Sequence, residues 1–175
     1  MSIKLFITTA ILCLSATISF AQQNANPDIS LTRKQSLFFE VLGPGVTYSF
    51  NYDTRFQKTN NGLGGRIGVS YLGGADDIKV FTVPVVLNYL LGKKGNYFEL
   101  GAGATFVNVS SDFESGSDVL FLENGNESTV LGTLNFGYRR QPVDGGFTFR
   151  AGFSPVFGQG NFIPYWPYIG FGYSF

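Results

Sequence analysis

The sequence predicts an all-β fold: an eight-stranded, antiparallel, up-and-down transmembrane β-barrel over residues 36–175. Three observations carry that expectation. From Ser36 onward, side-chain character alternates with a period of two, and no segment shows a 3.6-residue apolar stripe. Charged residues make up 14% of the chain, against roughly a quarter in ordinary soluble domains, while aromatics reach 17% and glycines number 23. The connections between alternating segments are short on one side and longer on the other, as bacterial outer-membrane barrels arrange them.

The first 21 residues read as a separate unit. "MSIKLFITTAILCLSATISFA" carries one early cation, Lys4, then an apolar run, and closes on Ser19-Phe20-Ala21. This is a secretory signal pattern, with cleavage expected after Ala21. The apolar run is roughly 16 residues, short of the about 20 that a spanning helix needs. Cys13 falls inside it, and Leu12 before it does not suit a lipoprotein site. The mature chain therefore has no cysteine. Residues 22–35 are expected to form a flexible lead-in.

The strands follow in order. "SLFFEVL" sets Leu37, Phe39 and Val41 against Phe38, Glu40 and Leu42, a weak separation. "VTYSFNYD" sets Val46, Tyr48, Phe50 and Tyr52 against Thr47, Ser49, Asn51 and Asp53. The apolar phase changes across Gly43-Pro44-Gly45, which allows either a hairpin or a bend in one long strand. The bent-strand alternative would need a compensating strand at "DVLFLEN". "GLGGRIGVSYL" places Leu63, Ile67, Val69 and Tyr71 on one face. "KVFTVPVVLNYLLG" does so with Phe81, Val83, Val85, Leu87, Tyr89 and Leu91. "YFELGAGATFV" follows with Phe98, Leu100, Ala102, Ala104 and Phe106, and "TVLGTLNFGYRR" with Val130, Leu134, Phe136 and Tyr138. "FTFRAGFSPVF" gives Phe147, Phe149, Ala151, Phe153 and Phe157. The last strand gives Pro167, Ile169, Phe171, Tyr173 and Phe175. The hairpin reading yields strands near 36–43, 45–56, 62–73, 79–92, 96–109, 128–141, 146–158 and 165–175.

In hydrocarbon every backbone polar group must be bonded within the protein, so the sheet must close. The phenylalanine-rich face then meets lipid and the glycine, serine, threonine and asparagine face turns inward. Tyr52, Tyr71, Tyr89, Tyr97, Tyr138, Trp166 and Tyr173 lie near strand ends and are expected to form aromatic girdles. Eight strands leave an interior just wide enough for side chains. Glu40, Arg66, Glu99, Arg139 and Arg150 point inward by parity and must pair there. Glu40 and Glu99 are expected to face Arg66 and Arg150, with Asp53 and Arg55 near one end.

At "FFEVLGPGVTYSFNYDTRF", "GLGGRIGVSYL", "FTVPVVLNYLLGKKGNYFELGAGATFV" and "FRAGFSP…IGFGYSF" the chain resembles the small outer-membrane β-barrel proteins of Gram-negative bacteria. More distantly it is similar to OmpA/OmpX-type eight-stranded barrels. The resemblance covers roughly residues 36–175 and implies fold and location, with no agreed activity. It also implies that Phe175 is the assembly signal read by the barrel-assembly machinery, and that outer-membrane lipid surrounds the barrel.

Chemistry is sparse. The chain has no histidine, which removes the commonest acid/base group and the commonest transition-metal ligand. "GLGG" and "GAGA" are strand glycines and open no helix, so a phosphate loop is excluded. No basic run suggests nucleic acid. The acidic stretch "DFESGSDVLFLENGNE" has no EF-hand spacing and reads as a solvated outer loop. The expectation is a non-enzymatic barrel without cofactor or metal, whose 110–127 loop could contact an extracellular partner. A narrow channel for small ions or hydrophobic solutes is the alternative, and a lipid-modifying enzyme a remote one.

Overall fold

The structure, a computed structural model, describes residues 33–73, 79–110 and 127–175. The signal segment 1–21, most of the lead-in, and residues 111–126 of the long connection lie outside the described residues. So does "DVLFLEN", the alternative strand.

Ten strand segments build the domain: β1 (Gln35–Leu42), β2 (Tyr48–Arg55), β3 (Gly62–Gly73), β4 (Lys79–Lys93) and β5 (Asn96–Ser110), then β6 (Glu127–Arg140), β7 (Gly146–Phe153), β8 (Val156–Gly158), β9 (Asn161–Ile163) and β10 (Pro167–Ser174). All pairings are antiparallel. The ring runs β1-β2-β3-β4-β5-β6-β7-β10 and returns to β1 through Ser36↔Ser174 to Leu42↔Tyr168. It is a closed barrel of eight staves. Closure leaves no edge among the eight staves to be satisfied by a foreign strand, and of the described strands the three-residue β9 is paired on one side alone. We call the rim where β1 begins and β10 ends the lower rim.

The seventh stave carries an interruption that sequence parity did not show. β8 stays in register with β7 against β6, through Phe136↔Phe153 and Thr133↔Val156. Between them lie Ser154 and Pro155, and Pro155 has no N–H to give to a ladder. The Pro155 carbonyl still accepts from Leu134 N at 2.9 Å. "GQGNFIP", read as a loop, is shorter than expected: Asn161–Ile163 pairs back on β8 across a Gln159–Gly160 turn. One residue of slip separates the β9 and β10 registers, which bends the last stave around Trp166.

Gly43-Pro44-Gly45 is a hairpin turn, closed by a single turn of 3-10 helix. Leu42 N donates to Thr47 O at 2.6 Å and Val46 N to Gly43 O at 3.0 Å. The turn does not project outward. It is buried, and folds across the lumen to the opposite wall. Thr105 Oγ1 of β5, four staves away from β1, donates to Pro44 O at 2.6 Å, and Thr82 Oγ1 of β4 donates to Gly45 O at 3.1 Å. The inward fold costs backbone strain. Leu42 sits at φ 61° and Val46 at φ 72°, both unfavourable for side chains with a Cβ, and worst for a β-branched one.

Gly43, at φ 66°, is required on two counts. A Cβ there would lie 2.9 Å from Tyr168 Cβ and 3.0 Å from Glu40 Oε1. Gly43→Ala is expected to cost about 1–3 kcal/mol through the combination of strain and overpacking. Urea unfolding followed by the fluorescence of Trp166, the single tryptophan, measures it. An unchanged midpoint would mean that the turn does not occupy the lumen.

Candidate functional site

The lumen holds most of the charge that the strands contribute. Alternation aims even-numbered residues of β1 and β3 inward, and odd-numbered residues of β5 and β6. Phenylalanines and aliphatics take the opposite face and stand exposed, among them Phe50, Ile67, Val85, Leu87, Val130, Phe147 and Phe171. Several pack as tilted pairs on the outside, such as Phe39 with Phe50 and Phe149 with Phe171, ring centroids 5.1 and 5.4 Å apart.

Inside, seven charged side chains from six staves form one connected network. In the middle of the barrel Arg66 Nη1 donates to both carboxylate oxygens of Glu40, at 3.0 and 3.1 Å. Arg150 reaches the same Glu40 through Nε at 3.2 Å and donates from Nη2 to Glu99 Oε1 at 2.7 Å. Toward the lower rim, Arg139 leaves Glu99 at 3.8 Å and turns to Asp53, donating at 2.9 and 3.0 Å. Its Nη2 also donates to Ser36 Oγ at 3.0 Å. Asp53 takes a further bond from Arg55 at 2.7 Å and one from Asn88 Nδ2 at 2.6 Å. All seven side chains are at most 3% exposed.

Two aromatic rings support the cations. The Arg150 guanidinium lies 4.6 Å from the Phe38 ring centroid and 5.2 Å from that of Tyr168, and Arg66 lies 5.7 Å from Phe38. A cation over a π face is attracted to its negative quadrupole, more so when desolvated. Inward glycines make the room: Gly64 beside Arg55, Gly170 beside Arg150, Gly172 beside Phe38 and Gly137 beside the Tyr168 hydroxyl.

Asp53 and Arg55 are thus integral to the network, although the sequence places them only near one end. Two girdle assignments need correction. Tyr97 shares its face with Glu99, points inward and is 4% exposed. Trp166 packs against an internal apolar cluster. Tyr71, Tyr89, Tyr138 and Tyr173 are exposed, and Tyr52 is half-buried on the outer face. The Tyr138 hydroxyl donates to Asn96 Oδ1 at 2.6 Å near the lower rim, and the Tyr48 hydroxyl caps the Tyr71 carbonyl near the upper one. Phe175 pairs with Gln35 through two backbone bonds of 2.9 and 3.2 Å.

The internal apolar cluster is a feature the sequence reading missed. Val80, Val107, Val109, Leu131 and Val156 are buried together above the turn, with Val46 and Trp166 packed on them. The lumen is therefore layered from the lower rim upward: the Asp53 group, the Glu40/Glu99 group, the buried turn, then the apolar cluster. Among the described residues no group of His, Cys, Asp or Glu is arranged to hold a metal ion.

No protein-family model matches the chain, and no curated protein matches it. Solved structures do. The N-terminal β-barrel domain of Pseudomonas aeruginosa OprF is similar with a TM-score of 0.53 at 12% identity, covering 81% of this chain and 96% of that one. The Yersinia pestis outer membrane protein Ail, solved in a phospholipid bilayer nanodisc, aligns with a TM-score of 0.44 at 16% identity, covering 81% of this chain and 99% of that one. The likeness to the OprF domain concerns the fold, and in fold the chain is an eight-stranded barrel of the outer-membrane kind.

Proposed function

We propose that this chain is an integral outer-membrane β-barrel of structural or interaction type, without catalytic activity and closed to solute flow. It would be exported by a cleaved signal at residues 1–21, inserted by the barrel-assembly machinery through a signal at Phe175, and held in outer-membrane lipid. Its contact surface toward an extracellular partner would be the 110–127 connection.

The observation that carries the reading is the inverted distribution of polarity. Seven charges are buried inside, while the outer wall is aromatic and aliphatic. A water-soluble barrel hides its apolar face instead. Closure is supported by the buried turn bonded to Thr82 and Thr105, stacked between the ion network and the apolar cluster. The absence of histidine from the sequence is consistent with a non-enzymatic role. The channel alternative would need a continuous polar path, and the valine-leucine layer interrupts one.

Planar-bilayer recording tests the closed lumen. The protein is expected to insert without conductance steps above the bare bilayer, and sustained unitary steps would restore the channel reading. Deleting residues 112–126 tests the interaction surface. The variant is expected to keep the faster migration of the folded barrel in unheated gels, while binding to an extracellular partner is lost. Failure to insert would instead give the loop a folding role.

A further inference from the structure

The outer wall is not evenly filled. Two rows of outward side chains cross β10, β1 and β2 in register: Tyr173, Leu37 and Tyr52 below, Phe171, Phe39 and Phe50 above. This part of the wall, continued onto β3 by Ile67 and Val69, holds an open apolar groove of about 790 Å³. Its size falls within the about 300–1,000 Å³ of ligand sites.

Beneath the groove the outward positions turn polar and small. Gln35 lies opposite Thr54, and Thr54 opposite Gly65. Two residues below Gln35 stands Arg33, exposed, and Lys58 is exposed in the connection from β2 to β3. Outside the lumen the whole lower rim is basic. Among the described residues it carries Arg33, Lys34, Lys58, Lys93, Lys94 and Arg140 against one acidic side chain, Asp144. None of these six cations forms an ion pair with a described residue.

From the groove and the cations at its foot we infer that this wall holds one anionic phospholipid, an acyl chain in the groove and the phosphate against Arg33 and Lys58. The inference rests on the membrane-barrel reading proposed above. Depth agrees with it. Phe39 is six residues from Arg33, roughly 20 Å along a strand at about 3.3 Å per residue. A strand tilt of about 35–45° turns this into about 15 Å of depth, half of a hydrocarbon core of about 30 Å. A chain anchored at Arg33 therefore ends near the midplane, at the top of the groove. Gln35 and Thr54 stand where the glycerol backbone would lie. Charge also favours a lipid over a second copy of this chain. A two-fold axis running through this wall along the membrane normal would bring Arg33 and Lys58 toward their own images.

The test refolds the purified protein into vesicles of phosphatidylglycerol and phosphatidylcholine, mixed equally and with identical acyl chains. The barrel is then extracted in mild detergent, and the lipid it retains is identified by native mass spectrometry. One phosphatidylglycerol is expected to stay bound, enriched about five-fold or more over phosphatidylcholine, the scale of one cation near an anionic headgroup. Arg33→Gln with Lys58→Gln is expected to bring the ratio to about one. Val69→Phe, which fills the groove from the outside, is expected to reduce retention of both lipids. Lys93→Gln with Arg140→Gln, at the same rim but away from the groove, is expected to leave the ratio unchanged. Equal retention of the two lipids by the unaltered barrel would overturn the inference. So would a ratio lost as fully in the Lys93/Arg140 variant, since the rim would then attract anionic lipid without a site. Both of those results leave the membrane-barrel reading intact. Failure to enter vesicles of either composition would instead overturn that reading, and this inference with it.

Discussion

Asp53→Ala is expected to destabilise the folded barrel by about 3–5 kcal/mol, the range found when one partner of a buried ion pair is removed. The reason lies in what remains. Asp53 takes two bonds from Arg139, one from Arg55 and one from Asn88. Its loss leaves two guanidiniums that water cannot reach, so the penalty reflects their desolvation more than the attraction lost. Urea unfolding, followed in parallel by Trp166 fluorescence and by gel migration without heating, gives the value. Adding Arg139→Met should recover part of the loss, because one of the two stranded charges leaves with it. Residues in one network couple in this non-additive way. A single-variant loss below about 1 kcal/mol, the scale of an exposed ion pair, would show that the lumen is hydrated and the network solvated.

Much of this design is visible in the sequence, and the limits of visibility have physical causes. A period of two fixes which face each residue takes, and parity alone sends Glu40, Arg66, Glu99, Arg139 and Arg150 inward. Parity says nothing of height. Whether Arg139 meets Glu99 or Asp53 depends on the shear between strands that pair far apart in the chain, and the structure brings it to Asp53 at 2.9 Å and leaves Glu99 at 3.8 Å. The phase change at Gly43-Pro44-Gly45 fits a bend as well as a hairpin, because both reverse the alternation. Only the Thr82 and Thr105 hydroxyls on the far wall show that this hairpin turns into the barrel.

Tyr97 lies two residues from Glu99, so parity alone turns it inward, and nearness to a strand end does not by itself place an aromatic in a girdle. The valine-leucine layer was obscured for another reason. At Val107 and Val109 the inward register continues with apolar residues. Composition cannot separate a valine that packs on a buried turn from one that touches lipid. Likewise Pro155 in "FTFRAGFSPVF" signalled a missing ladder bond, while the unbroken register on either side of it comes from long-range pairing with β6.

Leu87→Lys should cost about 2–4 kcal/mol, and Leu91→Lys only about 0–1, because a lipid-facing cation is penalised by its depth. Both leucines stand on the outer face of β4, exposed by 57% and 48%. Leu87 sits at the middle of that 15-residue strand, opposite Ala102 of β5 and Gly65 of β3. Neither neighbour offers an acceptor, and a lysine there is too far from either rim to bring its ammonium to water. Leu91 is two residues from the strand end, close enough for a lysine to snorkel. In a barrel surrounded by water, both would be surface changes within about 0.5 kcal/mol of zero. The contrast between the two positions therefore separates a lipid-facing wall from a solvated one without reference to export or cell location. Equal, near-zero effects for the pair in lipid vesicles would leave the aromatic belt without a membrane explanation. A penalty confined to Leu87 would fix both the orientation of the wall and the level of the bilayer along it.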